Sequence, residues 1–235
     1  MSIEENVLAV REQIARAAER AGRDPADILL VAATKMNDAE RVRRAIASGI
    51  EICGENRVQE MLEKQAQGAY NGSSLHFIGH LQKNKAKYAV GLAALIHSVD
   101  SLELLDVIDQ EAAKKGIVQD VLLEINIGGE ASKSGFVPEE LASALAYAGQ
   151  KKALRVRGIM TIPPKCDKGE ENCCFFDRMR QLFIDNGEKK YDNISMDFLS
   201  MGMSGDFVQA VEHGANVVRV GTAIFGQRIY PDKQM

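Results

Sequence analysis

The chain has 235 residues, 46% of them hydrophobic and 26% charged, with a formal net charge of −4 at neutral pH. That is enough for a full hydrophobic core in one large domain, and the interspersed charges give no reason to expect nucleic acid or a membrane as the main partner. No run of about 18 apolar residues is present, and the charged, helical N-terminus does not read as a signal peptide, so a cytoplasmic protein is expected. Cys53, Cys166, Cys173 and Cys174 show neither CxxC spacing nor nearby histidines, which reads as reduced thiols and no zinc site.

Residues 3 to 21 carry Val7, Val10, Ile14, Ala17 and Ala18 at helical spacing, closed by Gly22. Ile28 to Ala33 is a short apolar run, read as a strand buried on both faces, and it ends at Thr34-Lys35. A helix marked by Val42 and Ile46 follows and stops at Gly49. Glu51 to Gly54 is a second strand, running through Glu55-Asn56 into a helix with Val58, Met61 and Leu62. Leu75 to Gly79 is the third, ending at His80 and followed by a basic helix around residues 83–88, whose lysines read as a solvated face. Leu95 to Val99 is the fourth; Asp100 with Glu103 three residues on resembles a capping box for the next helix.

The second half repeats this rhythm. Strands are expected at Val121 to Ile127, Val156 to Met160, Ile194 to Leu199 and Asn216 to Val220. Helices are expected from Pro138, around Phe176 and Met179, and over Phe207 to Val211. Pro163 to Asn172, with two prolines, a glycine and several charges, reads as an exposed loop. Eight strands alternating with helices point to α/β architecture as a single (β/α)₈ TIM barrel over residues 1–235, with a doubly wound open sheet as the other reading. The absence of a GxGxxG after the first strand favours the barrel.

In a barrel, the residues just past each strand converge on one mouth. Lys35 stands there at the end of a buried strand, where lost hydration would lower its basicity and suit it to react with an aldehyde. A plain surface lysine is the other reading. Ser200-Met201-Gly202-Met203-Ser204-Gly205-Asp206 follows strand seven and Gly221-Thr222 follows strand eight, the two places where barrels commonly build a phosphate site. Arg219 is an arginine inside an apolar strand, where an unpaired charge is expensive. It reads either as one half of a buried salt bridge or as a donor to a bound heterocycle. His97 and His213 read as ordinary structural or surface histidines.

Together, Val31-Ala32-Ala33-Thr34-Lys35, Gly54-Glu55-Asn56-Arg57-Val58-Gln59-Glu60, His76-Phe77-Ile78-Gly79-His80-Leu81-Gln82-Lys83-Asn84-Lys85, Ser200 to Asp206 and Arg219-Val220-Gly221-Thr222 resemble the YggS/PROSC family of pyridoxal-phosphate homeostasis proteins over nearly the whole chain. The resemblance implies a barrel of the fold type III kind, like the N-terminal domain of alanine racemase. It implies pyridoxal 5'-phosphate (PLP) held as an internal aldimine on Lys35, Arg219 facing the pyridine nitrogen, and Ser200, Ser204, Gly221 and Thr222 holding the phosphate. Asn56 would lie near the ring, and His80 and Met203, within the same motifs, join the candidate cofactor contacts; no residue is assigned a catalytic role. The loop with Cys166, Cys173 and Cys174 is not a feature of that family. The implied function is to hold, buffer or deliver PLP, with apo PLP-dependent enzymes as candidate partners. A racemase or decarboxylase of the same fold is the alternative, and a cofactor-free Schiff-base aldolase a further one. An arginine at the pyridine nitrogen makes the ring a weak electron sink, and the chain ends fifteen residues after strand eight, with no length for a second catalytic domain; both favour binding over turnover, and a monomer.

Overall fold

The computed structural model describes residues 1–165, 169–188 and 191–227. Eight parallel strands close into a barrel in chain order: β1 (Leu29–Ala33), β2 (Ile52–Glu55), β3 (Ser74–Phe77), β4 (Leu95–Val99), β5 (Gln119–Glu124), β6 (Leu154–Met160), β7 (Ile194–Ser200) and β8 (Val217–Val220). The helices lie outside: α1 (Ile3–Arg20), α2 (Ala39–Ala47), α3 (Val58–Ala66), α4 (Ala86–Ala89), α5 (Leu102–Lys114), α6 (Leu141–Ala148), α7 (Cys173–Asp185), α8 (Phe207–Glu212) and the single turn α9 (Thr222–Phe225). This is a (β/α)₈ TIM barrel. The open sheet is excluded because β8 pairs back onto β1, Leu29 opposite Val217 and Val31 opposite Arg219.

Strand alternation divides the core in two. Leu30, Ala32, Cys53, Phe77, Ile96, Leu123, Val218 and Val220 face outward into one cluster shared with the helices. Leu29, Val31, Ala33, Ile52, Ile78, Val217 and Phe198 point inward, and Leu95, Leu122 and Met160 fill the other side of the lumen. The same parity turns His76, Glu124, Ser200 and Arg219 inward, so the polar residues of otherwise apolar strands share one interior.

The expected strand boundaries hold to within a few residues. The cap before α5 differs: Ser101 accepts from the Leu104 amide, while the Asp100 carboxylate pairs with His80 Nδ1 at 3.1 Å. A serine hydroxyl one residue later reaches the helix amide, which frees the acid for the neighbouring loop. Of the exposed loop expected at Pro163 to Asn172, Cys166 lies outside the described residues, and Gly169–Asn172 is a 3₁₀ turn leading into α7. Asn172 is buried there, donating to Asp206 Oδ2 at 2.8 Å.

Candidate cofactor site

Lys35 is half-buried just beyond β1, on the wall of a cavity of about 440 Å³. Ala33, Met36, Asn37, Asp38 and Arg41 line the same side, and Gly221, Thr222 and Phe225 form the opposite wall. Barrel closure makes this junction, since β1 and β8 are neighbours although 188 positions apart in register. The turn after β8 comes so close that a Cβ on Gly221 would stand 3.2 Å from the Ala33 carbonyl oxygen. Arg41 ties the two walls, donating through Nε to Asn37 Oδ1 at 3.0 Å and through Nη2 to the Phe225 carbonyl.

The loop after β7 reaches the same turn. Ser204 Oγ accepts from the Gly221 amide at 3.1 Å and from the Ala223 amide at 3.4 Å. Ser204 thereby ties the loop after β7 to the turn after β8 that bounds the cavity, and its own O–H is left to donate. Asn56, just past β2, carries a buried Oδ1 that no donor reaches among the described residues. Its backbone is pressed against Gly79: a Cβ there would meet the Asn56 carbonyl oxygen at 2.3 Å, so only glycine allows the two strand ends to approach. An orphaned buried acceptor at a strand end is a polar group waiting for a partner.

Arg219 is 4% exposed. Its Nη1 donates to Ser200 Oγ at 2.6 Å and its Nη2 to the Thr161 carbonyl at 2.8 Å. Burial pulls its pKa down to about 10, opposed by Glu124 and Asp206, so it remains a cation at neutral pH. Neither carboxylate is bonded to it, so the salt-bridge reading gives way to a guanidinium held by neutral oxygens. The chain continues through the lumen, His97 Nδ1 lying 3.0 Å from Ser200 Oγ and His76 Nδ1 3.0 Å from His97 Nε2. Burial drives both histidines toward the neutral form, His76 to about 4 and His97 well below its ordinary value.

The candidate residues therefore do not form one ring. Lys35, Gly221 and Thr222 share the cavity, with Ser204 bonded across its turn. Ser200 is fully buried, and its hydroxyl is bonded to Arg219 and His97 rather than to the turn after β8. His80 is exposed, paired with Asp100 and 3.4 Å from Ser134 Oγ, on a separate cavity of about 620 Å³. Met203 borders a further cavity with Pro163, Pro164 and Asp206. His213 pairs with Asp177 at the surface, as a surface histidine should. His97, by contrast, is an inward-facing link to Arg219.

Glu124 was not among the candidates. It ends β5 facing the lumen, and burial, reinforced by the charge of Asp100 and offset by Arg219, raises its pKa to about 7. An acid in an apolar strand is the same signal that singled out Arg219, and the parity of Leu122 and Glu124 points it inward. Among the described residues no group of three or more His, Cys, Asp or Glu side chains is placed to hold a metal ion.

The sequence profile of the alanine racemase N-terminal domain matches residues 6–229. The chain belongs to the alanine racemase N-terminal domain family. Within that family, a pyridoxal phosphate homeostasis protein of Aquifex aeolicus is 43% identical over 96% of this chain and 98% of its own. One from Pseudomonas aeruginosa is 40% identical over 97% of each. PipY of Synechococcus elongatus, solved with PLP bound, superposes with a TM-score of 0.83 at 32% identity, covering 96% of this chain and all of its own. An alanine racemase of Clostridium difficile shares the fold at 16% identity and a TM-score of 0.66, and this chain covers 57% of it.

Proposed function

We propose that this chain binds pyridoxal 5'-phosphate covalently through Lys35 and serves to hold and hand on the cofactor, with little turnover of its own. The observation that carries the reading is the cavity shared by Lys35 and the Gly221-Thr222 turn, a turn that Ser204 ties down from the loop after β7. Near-full-length relatives at 40% identity and above are named for PLP homeostasis, and a relative solved with PLP shares the barrel.

When bound, PLP supplies an aldehyde that condenses with an amine and releases water, and a ring that withdraws electrons. Lys35 is the residue that would carry it. Ser204 and the Gly221-Thr222 turn would hold the phosphate, as charge-assisted hydrogen bonds to a dianion are strong. Asn56 would gain the partner it lacks. Arg219, already a cation and held by Ser200 and Thr161, would meet the ring nitrogen with donors only, so the ring receives no proton there. The histidine chain behind it keeps that guanidinium from turning away. Handing the cofactor on to apo-enzymes, in the cytoplasm and as a monomer, belongs to this same reading.

Borohydride reduction of the protein mixed with PLP, followed by peptide mapping, tests the assignment. The adduct is expected on the peptide with Lys35 and lost in Lys35→Ala; retention of the same adduct at the same stoichiometry in that variant overturns it.

A further inference from the structure

Lys64 lies on α3, away from the cavity wall, yet it is only 5% exposed. Its Nζ donates to the Thr34 carbonyl, to Glu55 Oε1 and to Glu60 Oε1, each at 2.7 Å. An ammonium has three N–H groups, and all three are used. Glu55 is fully buried, and the same Oε1 also accepts from the Thr34 hydroxyl at 2.5 Å and the Tyr70 phenol at 3.0 Å. Glu60 Oε1 in turn accepts the Met36 amide.

The backbone groups held in this way flank one residue. Thr34 is fixed through its carbonyl and its hydroxyl, and Met36 through its amide; Lys35 stands between them. Met36 has φ = 61°, the one positive value among the described non-glycine residues. Side chains with a Cβ resist that conformation, so it persists only where surrounding bonds impose it. The Glu60 acceptor is such a bond. A buried ion cluster is a weak source of net stability, since the desolvation of its charges cancels much of their attraction. What it supplies is a defined geometry, and here the geometry falls on both neighbours of the proposed cofactor lysine.

We propose that Lys64, with Glu60 and Glu55, is a positioning device for Lys35: the cluster locks the turn so that the Lys35 amine is presented to the cavity in one orientation. The proposal rests on the reading that Lys35 takes the cofactor. Attack on an aldehyde needs the amine aimed at the carbon, and loss of such alignment is felt in the bond-forming step more than in binding of the rest of the ligand.

Three variants test it, with two ligands. Glu60 is a partly exposed member, 19% by its side chain, so Glu60→Ala frees the Met36 amide without leaving a charge stranded in the core. Glu60→Gln keeps an oxygen for that amide. The pair Glu55→Gln with Lys64→Met removes both buried charges together. In Glu60→Ala hydrogen exchange at the Met36 amide of the apo protein should speed up, and in that variant and in the pair covalent capture of PLP at Lys35 should weaken about 10- to 100-fold. Binding of pyridoxamine phosphate, which has the ring and phosphate but no aldehyde, should be unchanged, and Glu60→Gln should capture PLP as the parent does. Equal losses for the two ligands, or unaltered capture in Glu60→Ala, overturn the positioning role while Lys35 stays labelled in the parent. A parent protein not labelled at Lys35 overturns the cofactor reading and this role with it.

Discussion

At Ser204 a single hydroxyl accepts from two amides of the turn that faces Lys35. The side chain holds the turn in shape, and on the proposed reading its own O–H is left to donate to the phosphate. Removing it should therefore weaken a phosphorylated ligand and leave an unphosphorylated one nearly untouched. For Ser204→Ala we expect PLP affinity to fall by about 1 kcal/mol, the worth of one ordinary hydrogen bond, while pyridoxal affinity is retained. Titration of both ligands by absorbance checks this, and equal losses would place Ser204 away from the phosphate. Ser200, four residues earlier, is fully buried and accepts from Arg219 at 2.6 Å instead.

Among the elements, the inward faces of β3, β4, β5 and β8 carry His76, His97, Glu124 and Arg219 into one low-dielectric lumen, and this couples stability to pH. The two histidines are held neutral, so the unfolded chain binds more protons than the native one below about pH 6.5. Their contribution is complete above that value and is lost as pH falls toward the folded value of about 4 for His76. Glu124 acts oppositely. Its raised value of about 7 favours the native state when it is protonated, and that advantage disappears as pH rises from about 4.5 to 7. His76 and Glu124 thus act in opposite directions, and His97, pushed down as well, adds to the loss on the acid side. We expect the melting temperature to fall as pH drops from 7 to 4.5, and the fall to be shallower in His97→Gln. A slope unchanged by that substitution would show that other groups control the acid limb.

For the molecule as a whole, the question is whether a barrel with this interior turns over amino acids. On the proposed reading Arg219, a cation at neutral pH, would face the ring nitrogen with donors alone, so a bound ring would remain a weak sink for a carbanion. The chain's structural kinship with an alanine racemase is at 16% identity and concerns the fold. Incubation with PLP and L-alanine, L-serine, L-lysine or L-ornithine in deuterium oxide should give slow α-deuterium incorporation or none. Exchange at about 1 s⁻¹ or faster would make this an enzyme.

The barrel, its strands and the junction of Lys35 with Gly221-Thr222 were legible in the chain itself. Short apolar runs read as buried strands wherever they occur, and a parallel barrel sends every strand end to one mouth, so Lys35 and Thr222 could be brought together without coordinates. Arg219 and the two Ser/Gly-rich turns stood out because they break an apolar pattern. Tertiary structure decided the rest, because a side chain's partner depends on where the neighbouring strands point. Ser200 and Ser204 are indistinguishable in a serine-rich loop, yet strand parity turns Ser200 into the lumen toward Arg219, while the loop beyond β7 carries Ser204 to the turn after β8. Asp100 resembled a helix cap until the fold brought His80 within 3.1 Å. Lys64 carries no signal in the sequence; only the fold buries it and joins it to Thr34, Glu55 and Glu60. Local pattern sets which segments are strands and helices, because that depends on the period of apolar residues alone. Hydrogen-bond partners 19 or more residues apart, as for Ser200 with Arg219 and His97, exist only once the barrel has closed.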